Sequence, residues 1–127
     1  MISKANKNYR KTLGTKGEKI AEEFLKNKGF QIIEKNYKNK YGEIDIIAKQ
    51  EEELIFVEVR TISSAQFSDP ETWVDLKKQN KLIRMANLYI SEKDITNTNC
   101  RFDVIGITLT KSNKENIVHI ENAFFVT

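Results

Sequence analysis

Two carboxylates and a guanidinium interrupt the apolar stretch GEIDIIAKQEEELIFVEVR, Gly42 to Arg60, at positions where a buried strand ordinarily carries no charge. Residues 44–48 and 54–59 are rich in Ile, Val, Leu and Phe and flank the polar run Lys49 to Glu53, the pattern of two strands joined as a hairpin. Strand side chains alternate between faces, so Phe56, Glu58 and Arg60 share one face while Ile55, Val57 and Val59 share the other. If Lys49 pairs with Leu54, the antiparallel register sets Asp45 opposite Glu58, at a Cβ separation of about 4.5–5.5 Å. Carboxylates that close repel each other. A divalent cation held between them by hard oxygen ligands, of the kind Mg²⁺ takes, offsets the repulsion. The plainer alternative is a half-solvated antiparallel sheet whose polar face includes these three side chains.

The elements around the hairpin decide which groups can join it. From Thr15, GTKGEKIAEEFLKNKGF predicts a helix: Ile20, Ala21, Phe24 and Leu25 recur at helical spacing and Gly29 supplies the stop. Glu18 lies at the N-terminal edge of that apolar face, aimed at the sheet, or else it is a first-turn acid favoured by the helix dipole. Phe30 to Asn36 predicts a first strand, Tyr37 to Tyr41 a basic turn, and Glu71 to Ile90 a long helix with Val74, Leu82, Met85, Ala86 and Tyr89 on one face. Lys78 lies on that same line, where it either snorkels at the helix edge or reaches the polar site of the sheet. Trp73 is expected to pack in or beside the core. Arg101 to Leu109 predicts a strand on which Arg101 and Asp103 form a structural pair, and a last strand is expected around Ile117 to Ile120, with His119 on its surface side. Phe124 and Phe125 are expected to close the core.

A chain of 127 residues is expected to form one domain, here residues 12–127. Residues 1–11 carry Lys4, Lys7, Arg10 and Lys11 with little apolar content and are expected to be a mobile basic arm. One Cys and one His exclude an internal disulfide and a zinc site built on soft ligands, which suits a reducing, cytoplasmic setting. No signal-peptide core and no apolar run of membrane-spanning length is found. The net charge of +3 is uneven: residues 1–40 hold 11 Lys or Arg against 4 Glu, and residues 41–127 hold 10 against 14 Asp or Glu. A basic first third, which adds Lys16, Lys38 and Lys40 to the arm, beside a carboxylate-bearing centre suits a polyanion held by one and acted on by the other. Charge that merely keeps the protein soluble is the alternative.

GTKGEKIAEEFLKNKGF, GEIDIIA, LIFVEVR, KKQNKL with Ala86 and Tyr89, RFDVIGI and ENAFF resemble, in that order, the YraN family of small bacterial endonuclease-like proteins, over about residues 12–125. The αβββαβ order is similar to that of the PD-(D/E)XK nuclease superfamily. The resemblance implies an α/β, restriction-endonuclease-like fold in which a mixed central sheet is flanked by helices. It implies Mg²⁺- or Mn²⁺-dependent cleavage of DNA, branched or junction DNA included, as in archaeal Holliday-junction resolvases. Glu18, Asp45 and Glu58 are then the metal-binding acids, and Arg60 stands at the place of the superfamily lysine. Arginine can clamp a phosphate bidentately, but it does not give up a proton and so cannot be a general base. Lys78 is the candidate to replace the missing lysine from another direction. A nucleic-acid-binding module that keeps the fold without cutting is the alternative, and a partner-binding scaffold is a third. A homodimer is compatible with each.

Overall fold

The computed structural model describes residues 4–63, 67–109 and 115–124, with side chains within 14–63, 67–108 and 115–124. It is an α/β fold with a restriction-endonuclease-like αβββαβ core: α1 (Lys4–Asn27), β1 (Gln31–Asn39), β2 (Gly42–Gln50), β3 (Glu53–Thr61), α2 (Leu76–Glu92), β4 (Asn99–Leu109), followed by β5 (Glu115–Phe124). The five strands form one mixed sheet in chain order, antiparallel except for the parallel pair β3 and β4, which α2 connects. No helix among the described residues is long and apolar enough to cross a membrane.

Each helix has a sequence-encoded boundary. Gly29 takes the left-handed conformation (φ 92°) and the Phe30 amide donates to the Leu25 carbonyl at 3.0 Å, closing α1 as the glycine predicted. At its other end α1 starts at Lys4, ahead of the expected Thr15, so residues 4–11 of the segment assigned to a basic arm are helical. The predicted onset of the second helix at Glu71 is corrected. Pro70–Thr72 forms one 3₁₀ turn, and α2 begins after Asp75, whose side chain accepts from the Lys78 amide at 2.8 Å. β1 runs past Asn36 to Asn39, so Tyr37 is a buried strand residue rather than part of a turn.

The apolar patterns of β2, β3 and β4 bury both faces. Ala21, Leu25, Phe30, Ile46, Ala48, Ile55, Val57, Ile105 and Ile107 form the core under α1. Ile47, Leu54, Phe56, Leu82, Met85, Ala86, Tyr89, Phe102 and Val104 form the core under α2. Trp73 is buried in the latter, lying flat enough on β4 that a Cβ on Gly106 would come within 2.4 Å of its ring. Phe124 closes this core as expected, while Phe125 lies outside the described residues.

One polar knot joins the far strand to the first helix. Asp103 is fully buried and accepts from Arg101 Nε (3.0 Å), from the Asn122 amide (3.0 Å) and from His119 Nε2 (2.7 Å). Lys28 Nζ approaches His119 Nδ1 at 2.8 Å, and since an ammonium only donates, the ring proton sits on Nε2, facing Asp103. Burial alone would raise the Asp103 carboxyl, but these hydrogen bonds outweigh it and hold it below the usual carboxylate range. The Arg101–Asp103 pair stands as predicted. The expectation for His119 is corrected: its side chain is 3% exposed, because Phe24 and Phe30 cover the ring and Asp103 supplies the partner that makes burial tolerable.

Candidate active site

The register read from the sequence holds: Lys49 pairs with Leu54, and the ladder runs back through Ala48 and Ile55 to Ile46 and Val57. Beyond that pair the backbone ladder gives way to a side chain, and Asp45 Oδ2 accepts the Val59 amide at 2.8 Å. The cause lies in β2 and β1. Ile44 packs in the core under α2 whereas Ile46 packs under α1, so alternation breaks at Asp45. Opposite the break, Asn36 takes a left-handed φ of 55°, a conformation that Asn tolerates better than most residues. Asp45 is thereby turned toward β3, where it takes the Val59 amide, and stays within reach of α1.

Three acids meet there. Carboxylate oxygens of Glu18, Glu43 and Asp45 lie within 4.8 Å of one another, each side chain half-buried. With its NH₂ toward the acids, the Asn36 amide donates to Glu18 Oε2 (3.2 Å) and Glu43 Oε1 (2.6 Å). Glu18 reaches the cluster because α1 packs close to the sheet at Gly17, where a Cβ would stand 2.7 Å from Thr61 Oγ1. Burial, then Asp45 and Glu43, push the Glu18 carboxyl up to about 7.

Glu58 is the neighbour of Asp45 on the other side. It is 6% exposed, and its Oε2 is buried with no hydrogen-bond partner. Burial and the Asp45 charge push its carboxyl up to about 8, against the opposing pull of Lys78 and Arg60. Lys78 Nζ lies 3.9 Å from Glu58 Oε2, too far for a hydrogen bond but close enough for attraction across a low-dielectric gap. Its approach follows from the Asp75 cap, which starts α2 so that its first turn faces the end of β3. Arg60, two residues along the same strand face, is exposed.

Of the residues singled out from the sequence, Glu18 and Asp45 come together, Glu58 borders Asp45, Lys78 approaches Glu58, and Arg60 stands at the rim. Asn36 and Glu43 complete the cluster without having been singled out. Glu43 sits beside Gly42 at the mouth of the hairpin, which offered a signal; the role of Asn36 depends on a backbone conformation that no sequence pattern announced. The basic first third is less available than its count suggests. Glu22 binds Lys26 (3.0 Å) and Lys35 (3.1 Å), and Lys28 binds Glu121 (3.6 Å). Lys16, Lys38 and Lys40 are exposed, whereas the side chains of Lys4, Lys7, Arg10 and Lys11 lie outside the described residues.

The chain is similar to the family described as Uncharacterised protein family UPF0102 over residues 17–107, a span that contains every carboxylate of the cluster and Glu58. It is 43% identical over 125 residues to a UPF0102 protein of Caldanaerobacter subterraneus subsp. tengcongensis, covering 97% of this chain and 100% of the relative. A UPF0102 protein of Clostridioides difficile is 48% identical over 114 residues, 90% of this chain and 97% of the relative. One of Thermodesulfovibrio yellowstonii is 45% identical over 115 residues, 89% and 96% of the two chains.

Proposed function

Starting from a chain that belongs to the UPF0102 family, we propose a divalent-metal-dependent endonuclease acting on DNA, of the PD-(D/E)XK type that the order of its elements resembles. One observation carries the reading: Glu58 is a buried carboxylate with an orphaned oxygen, set beside Asp45 and a further pair of acids. Four acids converging from α1, β2 and β3 are costly unless protonated or neutralised. The donors are all hard oxygens, which fit Mg²⁺ or Mn²⁺. Asp45 and Glu18 would hold the ion, with Glu43 and Glu58 completing the oxygen shell. Bound there, the metal supplies Lewis-acid polarisation of a phosphoryl oxygen and a more acidic water.

The protein's own groups supply the rest. Lys78, anchored at the start of α2, offers a cation beside Glu58. Arg60 projects from the open end of β3, where its planar donor fork suits two oxygens of one phosphate. The Val59 amide fixes one oxygen of Asp45, leaving the other to face the cluster. Asn36 orients Glu18 and Glu43 through its two N–H groups. The Arg60 substitution also favours a second reading, a module that binds nucleic acid without cutting it.

Calorimetric titration with MnCl₂, together with incubation of linear and branched DNA with and without Mn²⁺, tests the site. The wild type is expected to bind Mn²⁺ and to cut; Asp45→Asn, which keeps the acceptor for the Val59 amide, is expected to fold as the wild type and do neither. Metal binding without cutting selects the second reading. Unchanged Mn²⁺ affinity in Asp45→Asn overturns the site.

A further inference from the structure

The edge formed by α2 and the β1–β2 turn carries a set of exposed cations. Lys77, Lys81 and Arg84 recur at i, i+4 and i+7, one stripe of the helix, and all three are exposed. The stripe is continuous with the turn. Lys81 lies over Gly42, where a Cβ would meet its Cε at 3.0 Å, and the Arg84 guanidinium stacks 4.1 Å from the centre of the Tyr41 ring. Lys40 covers that ring as well, at 5.2 Å. Lys38, on β1, pairs in register with Glu43 of the acid cluster. Among the described residues, none of Lys38, Lys40, Lys77, Lys81 and Arg84 forms an ion pair, in contrast to Lys26, Lys28 and Lys35.

The chemistry of the edge selects among polyanions. Tyr41 is the aromatic ring on this surface and is occupied by Arg84 and Lys40, so it offers no free platform for stacking unpaired bases, which single-strand binders use. What remains is cation alone, the requirement for contact with the backbone of a duplex. From Lys77 to Arg84 the helix advances about 10 Å at 1.5 Å per residue. One strand of B-DNA presents roughly three phosphates over that axial length.

We propose that this edge, Lys77, Lys81 and Arg84 with Lys40, is the surface on which duplex DNA lies by its phosphodiester backbone, its strand running on past Gly42 toward the acids. The function of those acids rests on the reading above, but the edge is testable without it. The acidic neighbours then repel the strand except where a metal sits, so the cationic edge supplies the attraction and the cluster supplies the stop. Lys26, Lys28 and Lys35, already bound to acids, contribute less to holding the strand than the edge does.

Fluorescence anisotropy of a labelled linear DNA duplex, with Ca²⁺ as the divalent ion and across a series of KCl concentrations, decides the matter. Lys77→Gln, Lys81→Gln and Arg84→Gln combined are expected to weaken binding at least tenfold and to flatten the plot of log affinity against log salt by about 2 to 3, near 0.9 per phosphate contact. Lys77→Gln with Lys81→Gln alone is expected to lose about two-thirds of that slope, while Lys26→Gln with Lys28→Gln leaves it unchanged. A triple variant with the wild-type slope, an equal loss in the Lys26 and Lys28 variant, or tighter binding of the single strand than of the duplex overturns the proposal. Wild-type protein that fails to bind duplex overturns it too. Mn²⁺ titration of the triple variant, expected to match wild type, separates the two readings: duplex binding lost with the stripe in a protein that never cuts leaves the edge standing and removes hydrolysis, whereas cutting untouched by the triple variant does the reverse.

Discussion

Arg60 is the residue on which cleavage and mere binding part company. Exposed at the end of β3, it is within electrostatic reach of Glu58, yet the cation closest to that carboxylate is Lys78. If Arg60 clamps the developing charge on phosphate, Arg60→Lys retains or raises cleavage, and Arg60→Ala lowers the rate by a factor of about 10²–10³. A single-turnover cleavage assay reads this directly, and equal rates with alanine defeat the clamp. The principal acids were legible because strand alternation and one assumed pair, Lys49 with Leu54, were enough to bring Asp45 toward Glu58. Glu43 left a signal in its place beside Gly42, but Asn36 was not legible, because its left-handed conformation and the break in alternation at Asp45 move side chains across a face that regular pleating keeps apart.

Among the elements, β4 does the most to place others. Gly106 leaves room for Trp73, and Trp73 anchors the segment leading to the Asp75 cap and hence to Lys78. Gly106→Ala sets a methyl group against the indole. It is expected to cost about 1–3 kcal/mol, as overpacking does, seen as a lower urea midpoint and a shifted emission of the single tryptophan. An unchanged midpoint and spectrum would show that the ring yields freely. The sequence located this helix but misplaced its start, because the apolar pattern at Val74 extends past the cap into a 3₁₀ turn and a bend. It located the first helix and its glycine stop but began it late, since the polar composition of residues 4–14 lacks the apolar periodicity that marks a packed helix. The burial of His119 was hidden for a different reason: its partners Asp103 and Lys28 are distant in sequence.

On the scale of the molecule, the acids set how stability responds to pH. Glu18 and Glu58 have folded-state values near 7 and 8, above the ordinary 4.5, so the folded protein holds protons that the unfolded chain releases. Their contribution is fully present below 4.5 and is lost as pH rises through 7 to 8. At about 1.4 kcal/mol per unit, the buried Glu58 alone accounts for a loss on the order of a few kcal/mol. Urea unfolding in EDTA is expected to show stability falling over this window and Glu58→Gln removing most of the fall; a flat profile in the wild type would contradict the burial of the charge. Asp103, held below the carboxylate range, acts in the opposite direction and loses its contribution in acid. The order αβββαβ was legible as patterns of apolar residues, whereas helices on both faces of the sheet were expected only from the family resemblance. The pairing of β5 and the parallel partnership of β3 with β4 were not, because nothing local specifies which strand edge a distant segment will meet.

The knot around Asp103 also ties together segments far apart in the chain. Two of its donors, His119 and the Asn122 amide, belong to β5, and the lysine that meets the histidine lies 91 residues earlier. Without β5, Asp103 would keep Arg101 as a partner but lose both of those donors, and a buried carboxylate stripped of part of its hydrogen bonding is strongly unfavourable. The turn after the first helix therefore reaches the far strand through this imidazole and through Glu121, in addition to the apolar packing that seats the helix on the sheet. One buried carboxylate thereby couples the seating of β5 to a lysine just past the first helix.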